Sequence, residues 1–257
     1  MYLRGVHAEQ SIKALRSLVQ TYPLGILTTA ISSKDYPLIQ SSHIPFLLDV
    51  EDDNSETELG TLRGHLARAN PQSKAMIEAL QAAGDGTDSR NILEQEVMVL
   101  FNAPVQHYVT PKFYTETKPD TGKVVPTWNY AAAQAYGRAR IFYDSKADET
   151  GRFLSRQIDD LSRFAEKSVM GYTGEGTRPG PWTVAEAPER YIQLLQKAII
   201  GIEIKLDRLE GKFKMSQELS EGDRQGVVEG FSGLGTEVGH SVAELVRERG
   251  QLKAAKA

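Results

Sequence analysis

Two segments of the 257-residue chain combine residue types and spacings that could do chemistry. The first is Gly64-His65-Leu66-Ala67-Arg68-Ala69-Asn70-Pro71-Gln72-Ser73-Lys74. Asn followed by Pro starts a helix, because the Asn side chain caps a free N–H and Pro at the first helical position has none to lose. The N-terminus of that helix presents unpaired N–H groups and partial positive charge. Arg68 just before it and Lys74 in its first turn add two formal cations, which would suit a phosphate. The same spacing also allows Arg68 to pair with an acid and Lys74 to stay solvated.

The second segment is Gly122-Lys123-Val124-Val125-Pro126-Thr127-Trp128-Asn129-Tyr130. In a strand of period two, Trp128 and Tyr130 share one face while Thr127 and Asn129 point to the other. An aromatic beside amides suits the edge of a planar ring ligand, and Trp128 would equally serve as core. Among the five histidines, His43, His65 and His107 lie on expected strands and could meet at a metal. Strand histidines more often hydrogen-bond locally, so no metal is assigned. There is no cysteine, which removes thiolate catalysis, disulfides and Cys-based metal sites. Neither a phosphate-cradling Walker loop, a G-x-G-x-x-G, a G-x-S-x-G nor an H-E-x-x-H is present.

The elements that would position these residues follow from periodicity. Ile12, Leu15, Leu18 and Val19 form one face of a helix over residues 8–22, ended near Pro23. Leu24 to Ile31 reads as a strand, Ser32 to Asp35 as a turn, and Pro37 to Val50 as a second strand. After an acidic loop over 51–58, Gly60 to Arg68 is a third strand, leading into the helix begun by Asn70 and Pro71. Residues 83–91 read as a mobile loop. Strands are expected over Glu96 to Val109, Val124 to Tyr143 and, as the last strands, Ile199 to Met215. Helices are expected over Phe153 to Phe164 and Tyr191 to Lys197, with a Gly/Pro-rich loop from Gly171 to Pro188 between them. Ser220 to Arg249 is a weak amphipathic helix broken by glycines, followed by a tail. At least six strands joined mainly by turns predict a mainly β, α+β fold: a barrel with helical additions.

Composition bounds the function. The hydrophobic content of 40% is that of a globular chain, and no apolar run approaches the roughly 20 residues of a membrane span. The N-terminus lacks the apolar core of a secretory signal, and with no cysteine a cytoplasmic protein is expected. The net charge of −4 and pI of about 5.8 leave no basic stripe, so direct DNA binding is not expected.

Taken together, Ser42-His43-Ile44-Pro45-Phe46-Leu47-Leu48, Gly64 to Gln72 and Lys123 to Tyr130 resemble the PaiB family. So do Gly201-Ile202-Glu203-Ile204 and Glu210-Gly211-Lys212-Phe213-Lys214-Met215-Ser216-Gln217, followed by Asp223-Arg224. The resemblance spans about residues 1 to 230 and implies an FMN-binding split β-barrel, related in fold to pyridoxamine-phosphate oxidases. Such proteins are usually homodimers with flavin at the subunit interface, and bacterial members are labelled negative transcriptional regulators. By that likeness Gln40, Ser41, Ser42 and His43 would run along the isoalloxazine edge. His65, Ala67, Arg68, Asn70 and Lys74 would hold the phosphate, and Trp128 and Asn129 would approach from the partner subunit. The resemblance places the barrel at 1–217 and a helical extension with its tail at 218–257.

The sequence departs from the family in Met215-Ser216-Gln217-Glu218, where Leu-Ser-Gln-Asn is usual, and at Phe113, where Trp is common. The loops at 50–59 and 83–91 also look longer than the family core requires. Three functions remain open: an FMN-dependent oxidoreductase acting on an unidentified small molecule or electron donor, a haem-binding split barrel, and a regulator. A homodimer is expected, since a split barrel leaves apolar sheet surface for a second copy to cover.

Overall fold

The computed structural model describes residues 1–83 and 91–255, so most of the loop expected over 83–91 lies outside the described residues. The strands are β1 (Ala8–Glu9), β2 (Leu24–Ala30), β3 (Ile39–Pro45), β4 (Leu47–Asp49), β5 (Thr61–Ala67), β6 (Ile92–Asn102), β7 (His107–Val109), β8 (Thr127–Phe142) and β9 (Ile199–Lys214). The helices are α1 (Ile12–Thr21), α2 (Pro71–Ala83), α3 (Thr117–Thr121), α4 (Asp148–Phe164), α5 (Glu189–Lys197), α6 (Glu221–Ser232) and α7 (Glu237–Ala254). This is the mixed α+β composition that the turn-rich strand pattern predicts. Residues divide into two compact units, one of 23–100 and 135–208, the other of 1–22, 101–134 and 209–257.

In the first unit, here the barrel unit, neighbouring strands follow the order β3-β2-β6-β8-β9-β5-β4. Its two ends are consecutive in sequence: β3 and β4 are separated by Phe46 alone. The sequence pattern predicts one strand from Pro37 to Val50, and the structure bends it here. Pro45 has no N–H to give a ladder, and the Phe46 N–H donates instead to the Pro23 carbonyl at 2.8 Å. The Phe46 ring is 1% exposed and lies over Gly64 of β5, where a Cβ would come within 2.9 Å of it. The chain thus leaves β2 for β5 in one step and closes the sheet upon itself, filled by Leu27, Ile44, Leu62, Ile200, Ile202 and Ile204.

Outside the barrel, α4 covers β9 at Gly201, where any Cβ would run into the Phe153 ring. Phe153 also stacks on Phe142 with ring centres 3.9 Å apart. This helix starts at Asp148, five residues before the periodicity shows it, with Asp148 and Glu149 at its positive end. It closes in a π-turn over Ala165–Val169.

In the second unit, β1 pairs with the end of β9 at Ala8↔Lys212, and β7 pairs with the start of β8 at His107↔Asn129. The single helix expected after Ser220 is two, α6 and α7. The break falls at Gly233 to Gly235, and Thr236 caps α7 through the Gly239 N–H at 3.1 Å. Phe231 of α6 meets Phe113 edge-on at 5.3 Å, so the Phe at that position is a packing residue of this unit.

Candidate functional site

The corner where β5 turns into α2 is built as its sequence dictates. Asn70 Oδ1 accepts the Gln72 N–H at 2.8 Å, and the Asn70 carbonyl accepts the Lys74 N–H at 3.1 Å. This is a capped helix start with Pro71 in first position. The Asn70 amide then reaches across to Ser42 Oγ on β3 at 3.0 Å. Ser73 Oγ and the Asn70 N–H both donate to the Ala67 carbonyl, at 2.8 and 3.0 Å, which folds the helix back on the strand end.

Gln72 ties this corner together, a role its sequence context does not mark. Its buried Nε2 donates to the Leu27 carbonyl, Thr29 Oγ1 and the Gln40 carbonyl at 3.0 to 3.2 Å. Three acceptors around one nitrogen fix the orientation of the amide. Its Oε1, buried, has no hydrogen-bond partner among the described residues, and the same is true of the Nε2 of Gln40, whose backbone carbonyl Gln72 Nε2 reaches. The signal for this role was a Gln at the second position of a helix packed on a sheet, which is too common to find alone.

The structure gathers Gln40, Ser42, Ala67, Asn70 and Lys74 at this corner, and it separates others from it. On β3, Gln40 and Ser42 share a face with the buried Ile44, whereas Ser41 and His43 point to the other face. There Ser41 Oγ meets Thr28 Oγ1 at 2.9 Å. On β5, His65 and Ala67 alternate with the core residues Gly64 and Leu66. His65 stands opposite Gly201, and its buried Nδ1 has no partner among the described residues. Burial lowers the His65 pKa and holds the imidazole neutral.

Arg68 is engaged by backbone. Its Nε donates to the Lys197 carbonyl at 3.1 Å and its Nη2 to the Tyr143 and Ile199 carbonyls at 2.5 and 3.4 Å. The side chain therefore fastens the ends of β8 and β9, whereas Lys74 is exposed and makes no ion pair with a described residue. Trp128 and Asn129 belong to the other unit. Trp128 is 48% exposed, its indole N–H on Gln106 and its ring edge-on to Tyr108 at 6.1 Å. Asn129 is buried and exchanges hydrogen bonds with Ser216 at 3.0 and 3.2 Å. Ser216 sits in the left-handed region at φ 61°, and the adjacent Gln217 holds the Met215 N–H and the Phe213 carbonyl. The variant tail motif thus makes a structural turn.

The corner in the barrel unit fits a flavin by its chemistry. A flavin's uracil-like edge alternates carbonyl acceptors with an N–H donor. A buried amide nitrogen on Gln40 and a buried amide oxygen on Gln72 present the complementary donor and acceptor. Buried polar atoms cost free energy unless paired, so each of the two calls for a polar partner. The helix start and Lys74 supply positive potential for a phosphate. Among the described residues no group of three or more His, Asp or Glu is placed to hold a metal ion. No described helix is long and apolar enough to cross a membrane.

Comparisons with known proteins identify the family and its cofactor. The family model described as "Putative FMN-binding domain" matches residues 1–208. An uncharacterized protein of Aspergillus fumigatus is 60% identical, covering 98% of this chain and 99% of its own. Protease synthase and sporulation protein PAI 2 of Bacillus subtilis, a PaiB protein, is 22% identical over 97% of this chain and 98% of its own. Among solved structures, a conserved hypothetical protein of Mycobacterium tuberculosis matches 86% of this chain and 95% of its own, with 12% identity and a TM-score of 0.46. With FMN thereby assigned as its cofactor, the chain belongs to the PaiB-like family of FMN-binding proteins.

Proposed function

We propose that this protein is an FMN-dependent oxidoreductase in which the β3–β5–α2 corner holds the flavin. The observation that carries the reading is the pair of buried, unsatisfied amide atoms, Gln40 Nε2 and Gln72 Oε1, beside a capped helix start. FMN when bound supplies the electron transfer. The protein's part is to orient it: Gln40 and Gln72 meet the ring edge, while the α2 start and Lys74 meet the phosphate. His65, half-buried and held neutral, lies on the same face of β5 as Ala67. A homodimer belongs to the same reading. Leu38 and Ile39, 57% and 67% exposed at the start of β3, offer apolar surface for a second copy.

The test is the visible spectrum of the purified protein, followed by anaerobic addition of a reduced nicotinamide dinucleotide. The expected result is the paired near-ultraviolet and blue bands of bound flavin, with the blue band bleached by the donor. A haem Soret band, or FMN that stays oxidised with every such donor, would overturn the assignment. Sedimentation at micromolar concentration tests the dimer, and a stable monomer would refute it.

A further inference from the structure

A second feature of the barrel unit lies on α4, away from the β3–β5–α2 corner in sequence. A cavity of about 410 Å³ is lined by Arg63, Arg156, Arg163 and Lys167, against only two carboxylates, Asp49 and Asp160. Arg63 is buried on the floor, where Asp49 grips it through Nε and Nη2 and Asp160 accepts from Nη2 at 3.0 Å. Asp160 also takes Arg156 at 3.4 Å and Arg163 at 3.2 Å. The carboxylates are thus shared among three guanidinium groups, and Lys167 makes no ion pair with a described residue. Asp159 and Glu166 lie along the same helix and turn, so the cleft is balanced in formal charge, but neither makes an ion pair with Lys167 among the described residues. The free donors of Arg156, Arg163 and Lys167, rather than a net charge, are what a phosphate ester would meet there.

Arg163 and Lys167 also line an adjoining cavity of about 220 Å³, whose opposite wall includes Trp182 and Thr183, with Asp159 on the helix side. Trp182 is 43% exposed, so its ring has a free surface. The loop that carries it is fixed to α4: Glu166 accepts the Trp182 N–H at 3.0 Å through its carboxylate and the Tyr172 N–H at 2.9 Å through its carbonyl. Lys167 and Glu166 both lie in the π-turn, a departure from α-helix that is found disproportionately at functional sites. Cations on one side and an aromatic ring on the other are what a phosphorylated ring compound requires.

We infer that the cleft between α4 and the 181–185 loop binds a nucleotide, its base against Trp182 and its phosphates on Arg163, Lys167 and Arg156. This site is separate from the flavin and stands or falls without it. Titration calorimetry of the flavin-loaded protein with ADP, adenosine and inorganic phosphate tests it. ADP should bind at least tenfold more tightly than adenosine. Arg163→Ala with Lys167→Ala should weaken ADP about tenfold or more, and Trp182→Ala about fivefold or more. Arg152→Ala, an exposed cation elsewhere on α4, should change nothing. The affected residues are exposed, so thermal melts of these variants should match the wild type. Absence of ADP binding, equal binding by the double variant, or indifference to Trp182→Ala would each overturn the inference. So would release of FMN by ADP, since the nucleotide would then be occupying the flavin's own site.

Discussion

Asn70 joins Ser42 of β3 through its side-chain Nδ2 at 3.0 Å while its side-chain Oδ1 caps α2 at the Gln72 N–H. One side chain therefore sets both where the helix starts and which strand it starts against. Asn70→Ala should destabilise the protein by about 1–2 kcal/mol, a lost cap plus a lost side-chain hydrogen bond. Asn70→Asp keeps the cap but loses the donor to Ser42, so its loss should be about half as large. Urea unfolding of the two variants measures this, and equal losses would show that the cap alone matters.

Arg68 and Lys74 separate by the same measurement. Arg68 donates to three backbone carbonyls, so Arg68→Ala should cost about 1–3 kcal/mol in the flavin-free protein. Lys74 is exposed, and Lys74→Ala should leave flavin-free stability within about 0.5 kcal/mol. A neutral Arg68→Ala would mean that these carbonyl contacts do not hold in solution.

Much of this was legible in the sequence, and the reasons for the exceptions are local. Asn70-Pro71 marks the helix start because capping is a short-range effect of two adjacent residues. The strands at Leu24, Thr61 and Thr127 follow from alternation, which a sheet with one buried face imposes. The break at Phe46 was hidden, because an apolar run does not show where it changes partner strand. Arg68 was legible as a cation but not as a ligand of carbonyls from residues 143, 197 and 199, which only the closed barrel brings to it. Gln72 was unreadable for the same reason: its three acceptors come from β2 and β3.

His65 makes stability depend on pH with a defined sign. Burial lowers its pKa in the folded protein below the ordinary value of 6.5. The unfolded chain therefore takes up a proton first as the pH falls. The stability present above pH 6.5 is lost as the pH drops from there through the lowered folded value. His65→Gln should flatten this part of the profile. Unfolding midpoints from pH 8 to pH 5 measure it, and parallel profiles for the two proteins would contradict the assignment.

Two glycines should respond oppositely to alanine. At Gly137 on β8 a Cβ would collide with the Lys205 carbonyl of β9, a backbone atom that cannot swing aside. Gly137→Ala should cost about 3 kcal/mol or more, or prevent folding. At Gly151, in the exposed first turns of α4, nothing lies within 4 Å of the added Cβ. Gly151→Ala should stabilise by about 0.5–1 kcal/mol, because it restricts the unfolded chain and favours the helix. Thermal melts decide both, and a tolerated Gly137→Ala would mean that the two strands can part.

The most direct test of the flavin corner is the affinity of the flavin-free protein for FMN, measured by fluorescence quenching for wild type and Gln40→Leu. Because the Gln40 amide nitrogen is buried without a partner among the described residues, replacing it should leave flavin-free stability unchanged or raise it. The same change should weaken FMN about tenfold or more, since the ring edge loses a donor. Riboflavin, which lacks the phosphate, should bind the wild type poorly. An FMN affinity within twofold of wild type for Gln40→Leu, with riboflavin bound as tightly as FMN, would contradict the placement of the flavin at β3, β5 and α2.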